Sequence, residues 1–62
     1  MISNQASVSE DTKIGDGVRI DSFSTIFEKV TIGEGTRIHP NVTIYPHTVI
    51  GKNCEIFPGA VI

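Results

Sequence analysis

The side chains able to do acid–base, nucleophilic or metal chemistry are few in this chain: His39, His47, one cysteine, Cys54, and seven carboxylates. A zinc site or a general base needs such groups to converge. His39 directly follows an aliphatic residue of a short repeat, whereas His47 precedes a small one, which puts the two on different corners of any structure built from that repeat. They cannot share a metal within one chain, and no Asp, Glu or Cys cluster accompanies either. A site shared across a trimer interface is the alternative, against which both read as exposed bend residues. Cys54 has no partner for a disulfide and stands in a column of small residues, so it reads as packing rather than as a reactive thiol. Asp16, Glu34 and Lys52 recur at one corner as solvated charges rather than as paired catalytic carboxylates. Phe27 and Tyr45, eighteen residues apart, form either a ligand platform or, as expected here, the cover of a bend. Asn41-Val42-Thr43 matches the glycosylation sequon by chance. No catalytic, substrate-binding or metal-ligating residue is assigned, and no cofactor is expected.

What must position these residues is a repeat. Ile14-Gly15-Asp16-Gly17-Val18-Arg19-Ile20 returns at intervals of eighteen as Ile32-Gly33-Glu34-Gly35-Thr36-Arg37-Ile38 and as Ile50-Gly51-Lys52-Asn53-Cys54-Glu55-Ile56. Within it lies a period of six: positions 2, 8, 14, 20, 26, 32, 38, 44, 50, 56 and 62 are Ile, except for Val8. Two residues before each aliphatic stands one no larger than Val, from Ala6 and Thr12 through to Cys54 and Ala60. A spacing of two is the strand period, so the small residue and the aliphatic share a face and the residue between them points the other way. An α-helix cannot hold a period of six on one stripe, which would drift by about 120° per repeat. Short strands joined by bends remain, and three six-residue units bring the chain back above its start.

The expected fold is all-β, a parallel β-helix of eighteen-residue triangular coils, with residues 1–62 forming a single segment of about three and a half coils. Ile14, Ile32 and Ile50 stack, as do Ile2, Ile20, Ile38 and Ile56, and Val8, Ile26, Ile44 and Ile62. Gly17, Gly35 and Asn53 accept positive φ, so their corner is expected to be the tightest. Phe23 occupies a bend position given elsewhere to Gly or Asn, and its corner is expected to turn differently. Residues 1–13 lack the glycine bend and are the least regular part. The outward residues define three walls: Arg19, Arg37 and Glu55; Lys13, Thr31 and Val49; Ser7, Thr25, Thr43 and Val61. Arg19 beneath Arg37 is repulsive, with Glu55 above Arg37 as partial compensation. The Ser/Thr/Val wall carries the least charge and is the expected subunit contact.

The pattern aliphatic, Gly, two variable, small, variable resembles the hexapeptide-repeat acyltransferases, whose fold is a left-handed parallel β-helix. Handedness comes from the resemblance, since most parallel crossovers are right-handed. Within that superfamily, the Met-Ile-Ser start, Ile-Gly-Glu-Gly-Thr and Cys54-Glu55-Ile56-Phe57-Pro58-Gly59-Ala60-Val61-Ile62 are similar to the N-terminal part of the UDP-N-acetylglucosamine 3-O-acyltransferases. The resemblance implies a homotrimer that transfers a hydroxyacyl group from acyl carrier protein to UDP-N-acetylglucosamine, opening lipid A synthesis. Related glucosamine N-acyltransferases and other sugar-nucleotide acyltransferases use the same repeat, and a non-catalytic or γ-carbonic-anhydrase-like β-helix is a rival from another class. The family's catalytic His lies coils beyond residue 62; neither His39 nor His47 matches it, so no catalytic role is carried over. These coils are expected to be inactive scaffold, the N-terminal part of a longer chain that stops here midway through a strand.

A formal charge of −2 and a pI near 5.5 give no basic field for nucleic acid or an anionic membrane. No apolar run approaches the roughly 20 residues of a membrane span, and the N-terminus lacks signal-peptide character, so a cytoplasmic location is expected.

Overall fold

In the computed structural model, which describes all residues 1–62, nine two-residue strands follow one another at intervals of six. They are β1 (Ser7–Val8), β2 (Lys13–Ile14), β3 (Arg19–Ile20), β4 (Thr25–Ile26), β5 (Thr31–Ile32), β6 (Arg37–Ile38), β7 (Thr43–Ile44), β8 (Val49–Ile50) and β9 (Glu55–Ile56). Each strand is so short because the remaining four residues of the unit must turn a corner. Pairing is parallel throughout, between strands three units apart, giving three sheets ordered β1-β4-β7, β2-β5-β8 and β3-β6-β9. The registers put Ile14 beside Ile32 and Ile32 beside Ile50, so the eighteen-residue coil is one storey of the molecule. The chain is a left-handed parallel β-helix of hexapeptide repeats, measuring about 20 Å in each direction.

The aliphatic column is the core. Ile20, Ile26, Ile32, Ile38 and Ile44 are fully buried, and the small column contributes Val18, Val30 and Val42 between them. At the two open ends, where no coil lies beyond, Ile2 is 45% and Ile62 43% exposed.

Two hydroxyls lie in this core, Ser24 and Thr36, and both are fully used. Ser24 Oγ donates to the His39 carbonyl at 2.7 Å and accepts from the Val42 N–H at 3.2 Å. Thr36 Oγ1 repeats the arrangement two strands later, donating to the Gly51 carbonyl at 2.7 Å and accepting from the Cys54 N–H at 3.1 Å. Each hydroxyl thus ties two backbone groups of the coil above that no ladder reaches. A buried polar atom is tolerated only on such terms.

The bends correct one expectation. Positive φ recurs at every sixth residue from Gly17 to Gly59, and includes Phe23 (64°), Lys29 (56°) and His47 (67°) as well as Asn41 and Asn53. Phe23 therefore turns as its counterparts do, and Lys29 and His47 share its position. The coil demands the left-handed conformation at each corner whatever residue stands there, at about 1–2 kcal/mol for a residue with a Cβ. Hydrogen bonds between coils offset this cost: Phe23 N–H donates to the Gln5 carbonyl, Asn41 N–H to Ser22, and His47 N–H to Glu28. Only the first coil departs. Gln5 and Asp11 keep negative φ, and the turns close on themselves through Ala6 N–H to Ser3 and Thr12 N–H to Ser9.

The glycine corner is the most closely packed, for a second reason. A Cβ at Gly33 would stand 2.6 Å from the carbonyl carbon of Gly51, so the backbones of successive coils meet there with no room for a side chain. The matching position on the other corners holds Asp21, His39 and Phe57, or Phe27 and Tyr45.

Candidate functional site

Because the core is filled by aliphatics and its two hydroxyls are fully hydrogen-bonded, chemistry resides on the three outer faces and their corners. On the β3-β6-β9 face the strand register aligns Arg19 with Arg37 and Arg37 with Glu55. The two arginines are bridged from the side by Asp21, whose Oδ1 lies 3.1 Å from Arg19 Nε and whose Oδ2 lies 3.4 Å from Arg37 Nη2. Partial desolvation pushes the Asp21 carboxyl up, but the hydrogen bonds and charges of Arg19 and Arg37 outweigh it and hold the group below the ordinary carboxylate range.

Glu55 does not compensate Arg37, as the sequence suggested. Its Oε2 lies 2.7 Å from His39 Nε2. The His39 ring also stacks on Phe57, with centroids 5.4 Å apart. These contacts leave the His39 side chain 16% exposed, so it is a half-buried tie between two coils, not a free bend residue. A carboxylate-held imidazole is the pairing on which general-base catalysis runs. No cavity opens beside it, however; the single cleft of the molecule lies on another face. His47 is exposed on the next corner, between β7 and β8, as expected.

That cleft, of about 230 Å³, lies on the β2-β5-β8 face and is lined by Asp11, Lys13, Lys29, Val30 and Thr31. Lys13 and Thr31 are cross-strand partners, and Lys29 stands one coil above Asp11. Asp11 Oδ1 accepts from Ser9 Oγ at 2.8 Å and from the Lys29 N–H at 3.1 Å. These two bonds, that from Ser9 foremost, outweigh partial desolvation and, with a weaker attraction from the Lys29 charge, hold the Asp11 carboxyl below its ordinary range. Every ion pair of the chain involves other cations: Arg19, Arg37, His39 and Lys52. Sequence reading missed this cleft because it treated Lys13 only as a wall residue; taking it together with the bend that precedes its partner strand in the next coil would have paired it with Lys29.

The β1-β4-β7 face carries Ser7, Thr25 and Thr43 in register, with Val61 bridged to Thr43. Phe27 and Tyr45 flank it on one corner, stacked with centroids 5.5 Å apart and planes 16° from parallel. Phe23 and Phe57 stand exposed on the other corner. No charged side chain occurs among the outward residues of its strands.

The remaining candidates have structural settings. Glu34 pairs with Lys52 at 3.4 Å across the glycine corner, where both are more than half exposed. Cys54 points into the small column and is half-buried. Val42, the middle of the sequon, is fully buried. No three His, Cys, Asp or Glu side chains lie close enough to hold a metal ion, and no helix is long and apolar enough to cross a membrane.

Residues 29–62, more than half of the chain, match the family described as bacterial transferase hexapeptide (six repeats). No curated protein matches the chain.

Proposed function

The chain belongs to the bacterial transferase hexapeptide family, and from that membership we propose that it forms the scaffold coils of an acyltransferase acting on a sugar nucleotide. The reaction proposed is transfer of an (R)-3-hydroxyacyl group from acyl carrier protein to the 3-hydroxyl of UDP-N-acetylglucosamine in lipid A synthesis. The observation that carries the choice of acceptor is the run Cys54–Ile62, read together with the Ile-Gly-Glu-Gly-Thr coil. The role of scaffold rests on the faces themselves. The half-buried imidazole of His39 has no cavity beside it, and the interior is filled by aliphatics, so no substrate reaches that imidazole or the core.

Homotrimer formation is part of the same proposal, and the β1-β4-β7 face is its contact. A partner copy would cover an uncharged Ser/Thr/Val surface flanked by exposed aromatics, where burial removes apolar area from water without desolvating an ion. Thr25→Lys with Thr43→Glu should leave the coils folded and dissociate the oligomer in sedimentation; an unchanged mass would place the contact elsewhere.

Activity is tested by supplying the protein with hydroxyacyl carrier protein and UDP-N-acetylglucosamine, and reading the product by mass spectrometry and alkali lability. An alkali-labile ester on the intact sugar nucleotide is expected of the whole enzyme, and no turnover from residues 1–62 alone. An alkali-stable amide would overturn the choice of acceptor. Turnover by the coils alone would overturn their assignment as scaffold.

A further inference from the structure

The cleft between the first and second coils combines features absent from the rest of the surface. Lys13 and Lys29 flank it, neither ammonium is held in an ion pair, Lys29 attracts the Asp11 carboxylate only at longer range, and the Thr31 hydroxyl lies on the same wall as Lys13. The one acid lining it, Asp11, already accepts from the Ser9 hydroxyl and the Lys29 backbone N–H through one oxygen. Those bonds pin the carboxylate to the bend, and the Lys29 charge is the weakest influence on it, so neither ammonium is locked in a contact and both can turn toward a ligand. A volume of about 230 Å³ has room for a tetrahedral oxyanion, and for a pair of linked ones. The remaining faces offer no rival: on the β3-β6-β9 wall Arg19 and Arg37 are both engaged by Asp21.

We propose that the cleft lined by Lys13, Lys29 and Thr31 binds a phosphoryl group, as phosphate ester or diphosphate. The lysines act as mobile point charges, and Thr31 supplies a directional donor. The chain as a whole carries −2, so this positive patch is a local feature rather than an expression of net charge. Its location on the β2-β5-β8 face leaves it open when the uncharged face is covered by a partner copy. Anion binding here requires only these side chains, so its failure would leave the acyltransferase reading untouched, and failure of that reading would leave the cleft intact.

The test is a titration of the full chain with inorganic phosphate, pyrophosphate, uridine diphosphate and 4′-phosphopantetheine at constant ionic strength, followed by amide chemical shifts. Saturable shifts at Lys13, Lys29, Val30 and Thr31 are expected. K13Q and K29Q should each weaken binding about two- to fivefold, the range of an exposed charged contact, and the double variant should abolish saturation. D11N, which removes the opposing charge but keeps an acceptor for the Lys29 N–H, should tighten binding. Because Lys13 forms no ion pair and Lys29 has only a long-range attraction to Asp11, the lysine variants should unfold close to the wild-type midpoint. Tighter binding of uridine diphosphate than of 4′-phosphopantetheine assigns the site to a nucleotide, and the reverse order to a carrier's prosthetic group. Shifts no larger than those from chloride, or saturation that survives in the double variant, would overturn the site.

Discussion

Removing the Ser24 hydroxyl should destabilise the coils by more than its size suggests. Ser24 is 1% exposed, its Oγ donates to the His39 carbonyl and accepts from the Val42 N–H, and Val42 is fully buried. Ser24→Ala keeps a shape that the column already accepts at Ala6 and Ala60, so the loss reports hydrogen bonding rather than packing. An unpaired buried group costs about 1–3 kcal/mol; water can reach the part-buried His39 carbonyl but not the Val42 N–H, which gives an expected loss of about 2–3 kcal/mol. Ser24→Val should lose a similar amount, since Val18, Val30 and Val42 show that its shape fits. Ser24→Thr should stay within about 0.5 kcal/mol of wild type, because Thr36 performs the same bridging two strands later. Urea unfolding followed by circular dichroism, with m unchanged, measures the difference. Hydrogen exchange at the Val42 amide should accelerate in the Ala and Val variants only. Wild-type stability in Ser24→Ala, with Val42 still protected, would refute the view that buried hydroxyls hold successive coils together.

Three further outcomes are expected. Gly33→Ala should lose about 1–3 kcal/mol by overpacking, since its Cβ would meet the Gly51 backbone at 2.6 Å; a neutral result in the same unfolding assay would show that the corner can open. Phe23→Asn should gain about 0.5–1 kcal/mol, because Asn accepts a φ of 64° more readily and Phe23 is 63% exposed; destabilisation would reveal packing by the ring that its exposure does not suggest. Asp21 binds its proton less readily folded than unfolded, so its contribution is complete above its ordinary value of 3.8 and is lost as pH falls through the lower folded value. Asp21→Asn should therefore flatten the acid limb of the stability profile below about pH 4, and an unaltered limb would remove Asp21 as the bridge between Arg19 and Arg37.

Sequence alone determined which backbone positions lie above one another. A strict six-residue spacing of Ile leaves no helix and one way to stack coils, so Ile14, Ile32 and Ile50, and the outward Arg19, Arg37 and Glu55, fell into the columns the periods required. The closeness of the glycine corner and the stack of Phe27 on Tyr45 were legible for the same reason, both being consequences of the eighteen-residue storey. The tertiary structure decided how side chains within reach of several partners divided among them. Glu55 lies over Arg37 in register yet reaches His39, and Asp21 takes both arginines, because a period fixes the height of a residue and not the direction of its side chain. It also decided the left-handed bends at Phe23, Lys29 and His47, which no residue preference announces. There the closed triangular coil sets the dihedral, and hydrogen bonds to the storey below outweigh what each residue would adopt alone.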